Sequence, residues 1–278
     1  MRDDTLVPGG TPTVPPRDSA TVMVARDAPG GVELFMLERH LSSDFFGGAY
    51  VFPGGKIDDA DTDPTLNEFV DPPAGAPSLD PGAIGASVEA PPGKELGFHL
   101  AAIRETFEEA GVLLARHEDG SVVRLDGAEA GRFAEARRAL NAREATLLDI
   151  ARSHRIRYAL DLMFYFSRWI TPEAVPKRYD TRFFVARLPE GQTPLHDDFE
   201  TTSGLWIRPQ DALDRAIEGG FTIIFPTRKT LESIAVFETV DDLIASTEGK
   251  QIGGVLPALV THEGELKVRL PDGTYHAP

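Results

Sequence analysis

The sequence predicts an α+β domain. Strand-like apolar runs and amphipathic helical patterns interleave along the chain, and they do so without a strict β-α-β alternation. No internal repeat or long heptad pattern offers another architecture. Residues 1–18 are polar and rich in Pro and Gly, and read as a flexible tail ahead of a single domain over 19–278. "ATVMVAR" and "VELFMLERH" are strands joined by the turn-forming "DAPGG". "AYVFPGGKI" is a short apolar run that ends at Pro53-Gly54-Gly55. From about 62 to 94 the composition shifts to Pro, Gly, Ala and Asp, which reads as a loop or loosely helical insertion on the surface. A helix over about 95–116 follows, and the Ala-, Leu- and Arg-rich segment at about 127–157 gives one or two more. "LMFYFSRWI", "TRFFVARL" and "SGLWIRP" are strands. "PQDALDRAIEGG" is a helix stopped by its glycine pair, and "TRKTLESIAVFETVDDLIAST" adds a helix near the C-terminus. A hairpin around "LPDGTY" closes the chain.

Bulk charge narrows the function. The net charge of −16 argues against nucleic acid or an anionic membrane as a main partner, because both demand a basic surface. An acidic substrate would have to be met locally, by a metal or by clustered Arg and Lys. The chain has no cysteine, which excludes disulfides, zinc–thiolate sites and thiol nucleophiles. The polar N-terminus lacks the apolar core of a signal peptide, and the apolar run "YALDLMFYF" is too short to span a bilayer. The expected location is cytoplasmic.

The motif that carries chemistry is "RETFEEAGV", residues 104–112. Glu105, Glu108 and Glu109 fall on one helical stripe, while Ile103, Phe107, Ala110 and Leu114 fall on the opposite, core-facing one. Two carboxylates about 6 Å apart repel by roughly 3 kcal/mol at an effective dielectric of ~20. Such a stripe is either a solvated acidic face or a site for a hard divalent cation, which takes oxygen ligands. Upstream, Gly54-Gly55-Lys56 ends a strand, and glycines there let the backbone approach a ligand closely.

Together "GGKIDDAD" and "RETFEEAGV" resemble the box of the Nudix hydrolases: a glycine, five residues, Glu, seven residues, then Arg-Glu-aliphatic-x-Glu-Glu-x-Gly-aliphatic. Gly55 matches the opening glycine; Arg104, Glu105, Glu108, Glu109, Gly111 and Val112 match the second half. There are departures. Asp61 stands where the pattern has Glu, Thr106 takes the aliphatic place, and 42 residues separate Asp61 from Arg104 instead of seven. A box split in this way resembles the peroxisomal coenzyme A diphosphatases of animals. "SRWITP", "KRYDTRFFV", "LWIRPQDAL" and "PTRKTLESIA" extend that likeness from about residue 20 to 260.

The resemblance implies a Nudix α/β/α sandwich around a mixed sheet, with the insertion and an added C-terminal helix. It implies Mg²⁺ or Mn²⁺, held by Glu105, Glu108, Glu109 and the backbone carbonyl of Gly55, with Arg104 as a brace. Gly54 and Gly55 would also approach the substrate. Glu200, six residues before Trp206, is the expected further metal ligand or general base, with Asp197 and Asp198 as alternates. Arg39 and Arg178 are candidates for substrate phosphates, because a guanidinium fork suits them. Lys177 and Arg182 join them for the 3′-phosphate of coenzyme A. His40, His99 and His154 have no metal-ligand spacing, and Phe45 and Phe46 could line an apolar slot or pack in a loop.

The implied partner is a nucleotide-type small molecule, coenzyme A or acyl-CoA foremost; the resemblance leaves a homodimer open. ADP-ribose, a nucleotide sugar or a dinucleoside polyphosphate share the same box, so they are alternatives. A catalytically silent Nudix domain used for sensing is a further one, although all three box glutamates stand. The chain ends His276-Ala277-Pro278, without a Ser-Lys-Leu-type address, so the peroxisomal location does not carry over.

Overall fold

Apolar side chains in Arg17–Ala28 (β1) alternate between two buried faces. Ala20, Val22 and Val24 enter one core, Met23 and Ala25 the other. The same split runs through Gly31–Arg39 (β2), with Phe35 and Leu37 against Leu34 and Met36. A strand covered on both sides reads as a continuous apolar run, which is why "ATVMVAR" shows little polar alternation. The structure is a computed structural model and describes residues 5–7, 14–42, 46–73, 84, 88–197 and 201–278.

The central sheet adds Tyr50–Val51 (β3), Gly54–Lys56 (β4), Phe164–Ile170 (β5), Tyr179–Arg187 (β6), Thr201–Ile207 (β7) and Gly254–Val255 (β8). Its order is β7-β2-β1-β6-β5-β8, with β3 on β2 and β4 on β1. β1 and β6 run parallel, from Tyr179 beside Arg17 to Arg187 beside Ala25, while β1–β2 and β5–β6 are antiparallel. The sheet is therefore mixed. Gly97–Ala110 (α1), Ala130–Asn141 (α2) and Leu147–His154 (α3) contribute to one core. Pro209–Glu218 (α4), Phe225–Ile234 (α5) and Val240–Ala245 (α6) contribute to the other. Helices on both faces make the expected α/β/α sandwich.

Three local expectations need correction. The helix expected over 95–116 stops at Ala110, because Gly111 adopts φ 65° and its N–H caps the Phe107 carbonyl. The C-terminal helix is two helices, with Thr239 starting α6 by accepting a bond from the Asp242 N–H. The segment expected as a tail includes Thr5–Leu6, which pairs with Ala258–His262 in a small antiparallel sheet with Glu265–Arg269 and Tyr275–His276.

The insertion is also more than a surface excursion where it is described. Leu66, Val70 and Val88 are fully buried in the core under α1. Val70–Asp71 pairs in parallel with Tyr158 and Ala159, and the strand Ile156–Ala159 pairs in turn with Ala115–His117. Arg182 of β6, 1% exposed, donates from Nε to the Val88 carbonyl at 3.1 Å and from Nη2 to that of Glu89 at 2.7 Å. Its guanidinium lies 3.9 Å above the Phe98 ring. A few apolar side chains scattered through a Pro- and Gly-rich stretch gave no periodic signal, yet they are what anchors it.

Deleting 62–94 should prevent folding, and Leu66→Ala should lower stability by about 2–5 kcal/mol in urea unfolding; a deletion variant with the wild-type midpoint would contradict this. His99 is buried, with its ring 5.0 Å from that of Phe184. Burial pushes its imidazole pKa down to about 4. Between about pH 6.5 and 4 the unfolded chain binds a proton here and the folded chain does not. Stability from this group is thus complete above pH 6.5 and is lost as the pH falls toward 4. His99→Leu should make the melting temperature fall less across that window than it does in wild type.

Candidate active site

α1 presents different chemistry on its two sides. Leu100, Ile103, Phe107 and Ala110 are buried in the core, and Thr106, in the aliphatic place of the motif, is buried with its hydroxyl donating to the Ala102 carbonyl at 2.7 Å. Arg104, Glu105, Glu108 and Glu109 line a cleft of about 1180 Å³.

Arg104 organises this wall. Its Nε and Nη2 donate to Asp61 at 2.9 and 3.0 Å, and Nη2 also reaches the Lys56 carbonyl at 2.9 Å. Nη1 donates to Glu105 and to Glu108, both at 2.8 Å. Asp61 is 1% exposed and accepts the Asp58 N–H at 2.8 Å. The short helix Asp59–Thr62 carries Asp61 to the guanidinium, so the shorter carboxylate still forms the brace across 42 intervening residues. Burial works against the Arg104 charge, but Glu105, Asp61 and Glu108 outweigh it and hold the pKa above the usual arginine value. Burial also raises the pKa of Asp61 and of Glu108 against the opposing pull of Arg104.

β4 packs closely beside this wall. The Gly54 N–H donates to Glu109 at 2.9 Å. A Cβ on Gly55 would lie 2.2 Å from Glu105 Oε1, and one on Gly54 would lie 2.2 Å from Thr21 Oγ1. At Gly54 a side chain is excluded by the Ala20 carbonyl and the Thr21 backbone, whereas at Gly55 it would displace the Glu105 carboxylate; neither glycine is in a left-handed conformation. The two halves of the motif, far apart in the chain, share one cleft.

Other expected residues separate clearly. Arg39 lines the cleft and its Nε is buried without a hydrogen-bond partner among the described residues. Lys177 lines the cleft as well. Arg178 is the correction: it is buried outside the lining, and its Nε and Nη1 are satisfied at 3.0 Å by the Thr171 and Val14 carbonyls. Those backbone acceptors use the fork that the sequence offered to phosphate. Arg182 is likewise committed to Val88 and Glu89. Glu200, Asp198 and Phe45 lie outside the described residues. Asp197 lines the cleft and accepts the N–H and hydroxyl of Thr201 at 3.1 and 2.8 Å, which holds the start of β7. Phe46 and His40 line the cleft, whereas His154 stacks on Phe133 at 4.7 Å. Sequence reasoning missed Arg17, Arg138 and Arg143, which line the same cleft from β1, α2 and the turn after α2.

Among the described residues, no three carboxylate or imidazole groups are arranged as a ready-made metal cage. The donor chemistry still fits a hard divalent cation. Glu105, Glu108 and Glu109 offer anionic oxygens on one wall, and Gly55 is pressed against the Glu105 carboxylate.

A family model described as the NUDT19 Nudix domain matches residues 16–228. The chain belongs to this family. It is 28% identical to acyl-coenzyme A diphosphatase NUDT19 of Gallus gallus over 288 residues, covering 88% of this chain and 75% of the relative. Against the Homo sapiens protein of the same name it is 27% identical, with 88% and 72% covered. A crystal structure of a NUDIX hydrolase from Alicyclobacillus acidocaldarius superposes with a TM-score of 0.69 at 24% identity, over 84% of this chain and 97% of that one. The Nudix fold is shared at that level. Membership makes the protein a Nudix hydrolase acting on pyrophosphate bonds, and Nudix hydrolases generally need divalent metal ions. No helix among the described residues is long and apolar enough to cross a membrane.

Asp61→Ala should leave the buried Arg104 fork partly unpaired. The expected loss is about 3–5 kcal/mol in urea unfolding, with Asp61→Glu losing far less. An unchanged midpoint in the alanine variant would show that solvent can replace the carboxylate.

Proposed function

We propose that the protein hydrolyses the pyrophosphate bond of coenzyme A or an acyl-CoA, releasing adenosine 3′,5′-bisphosphate and the 4′-phosphopantetheine half. The observation that carries the chemistry is the Arg104–Asp61 brace, with Glu105 and Glu108 on the same guanidinium and Glu109 on the Gly54 amide. Likeness to acyl-coenzyme A diphosphatases over 88% of the chain favours coenzyme A above ADP-ribose or a nucleotide sugar. The proposed setting is a single cytoplasmic domain.

In this reading Glu105, Glu108, Glu109 and the Gly55 carbonyl hold Mg²⁺ or Mn²⁺. Bound there, the cation neutralises charge on the pyrophosphate and makes a water nucleophilic. Arg104 keeps Glu105 and Glu108 in place despite their mutual repulsion. Arg39, with its Nε buried and unpartnered among the described residues, donates to the pyrophosphate. Glu200 takes the proton from the attacking water or adds a ligand. The water oxygen bonds to one phosphorus as the bridging oxygen leaves with the other, so one water is consumed per anhydride broken.

The test is a substrate panel with Mn²⁺: coenzyme A, dephospho-CoA, ADP-ribose, a nucleotide sugar and a dinucleoside polyphosphate. Coenzyme A should have the highest kcat/KM. Intact coenzyme A beside hydrolysed ADP-ribose would remove the substrate assignment and leave the pyrophosphatase chemistry. Glu108→Gln should cut activity by orders of magnitude and reduce the rise in melting temperature that Mn²⁺ gives, while the cation-free protein stays folded. Wild-type-like turnover in that variant would sink the ligand assignment.

A further inference from the structure

Helix α2 ends beside the motif helix. Arg137 donates to the Glu108 and Glu109 carbonyls at 3.0 Å each, which ties the C-terminal part of α2 to that of α1. Just beyond, Arg143 adopts φ 57°. Its N–H caps the Leu140 carbonyl at 2.9 Å and that of Glu144 caps Ala139 at 2.8 Å, a helix stop at which glycine is the usual residue. A Cβ makes this left-handed conformation costly.

Arg155 terminates α3 in the same conformation, at φ 54°, and provides the comparison. Its guanidinium is paired with Glu118 at 2.8 Å. The Arg143 guanidinium has no hydrogen bond or ion pair among the described residues, is exposed, and lines the cleft. Its charge bears on Asp58, next to the Arg104 brace. A strained backbone position that holds a cation without a hydrogen bond among the described residues at a cleft is of the kind that concentrates at ligand sites. Glu105, Glu108, Glu109 and Gly54-Gly55 are half-buried or buried and, on the reading above, take the scissile diphosphate, so an exposed cation lining the same cleft is left for a different anionic group.

Resting on the coenzyme A reading above, we infer that Arg143 is a specificity-determining residue that receives a phosphate group lying off the scissile diphosphate, the 3′-phosphate of the nucleotide half. Arg138, exposed on the last turns of α2 and loosely paired with Glu135 at 3.9 Å, lies on the same side and adds to the field.

The test compares wild type with Arg143→Asn, which tolerates the left-handed backbone and drops the charge, and with Arg143→Lys. Steady-state kinetics with Mn²⁺ on coenzyme A and dephospho-CoA are read beside calorimetric binding of adenosine 3′,5′-bisphosphate and 5′-AMP. In Arg143→Asn, kcat/KM on coenzyme A should fall by roughly ten- to a hundredfold, chiefly through KM, with dephospho-CoA within about twofold. The preference for the bisphosphate over AMP should shrink by the same factor, and lysine should restore part of it. Arg155→Asn, outside the cleft, should change neither ratio. Equal losses on both substrates, or an unchanged preference for coenzyme A, overturn the inference while the function stands. A wild type that cleaves neither substrate overturns the function, and the bisphosphate-to-AMP ratio then decides the inference alone.

Discussion

The guanidinium of Arg104 is where the parts of this protein meet. One side chain bonds a carboxylate from the short helix Asp59–Thr62, a backbone carbonyl at the end of β4 and two carboxylates of its own helix. Without it, Glu105 and Glu108 would face each other and Asp61 with no compensating charge in a site where burial already raises carboxylate pKa values. The brace therefore supplies the compensating charge that lets these carboxylates stand together. Few surface ion pairs achieve this, because water screens them; this one is shielded, with Arg104 8% exposed.

The sheet sets the geometry around that guanidinium. β1 carries the inner strand of the cleft, pairs with β4 through Ala20–Gly55 and Thr21–Gly54, and buries its alternate side chains in both cores. β4 can lie this close to β1 because Gly54 lacks a Cβ, and Gly55 leaves room beside it for the Glu105 carboxylate of α1. Core packing and site construction are consequently one problem here. The side chains of α1 that fix it to the sheet determine where its polar edge stands.

Charge is distributed unevenly in this chain of net charge −16. Arg17, Arg39, Arg138, Arg143 and Lys177 gather at one cleft from segments distant in the chain. The same cleft holds Asp58, Asp61, Glu105, Glu108, Glu109 and Asp197, so cations and carboxylates are gathered there together. Other arginines that looked equally suitable, Arg178 and Arg182, are used as struts that satisfy backbone carbonyls.

Much of the fold was legible because local chemistry speaks directly. Apolar runs marked β1, β2, β5, β6 and β7, the 3.6-residue period marked the faces of α1, and the Gly/Glu motif marked two segments that the fold brings to one cleft. Gly111 stopped α1 earlier than the pattern suggested, because one left-handed residue outweighs a favourable apolar stripe. The insertion was misjudged for the opposite reason: Leu66, Val70 and Val88 are isolated in sequence, and only the tertiary structure brings them to one core. The same holds for the arginines. Whether a guanidinium faces a cleft, like Arg39 and Arg143, or a carbonyl, like Arg178, depends on what the fold places within about 3 Å of it. Sequence alone determined the chemistry available to this protein, since the carboxylates, glycines and guanidiniums are written in it. Tertiary structure decided which of them meet, because hydrogen bonds and charge pairs act over a few ångströms while the partners lie tens of residues apart.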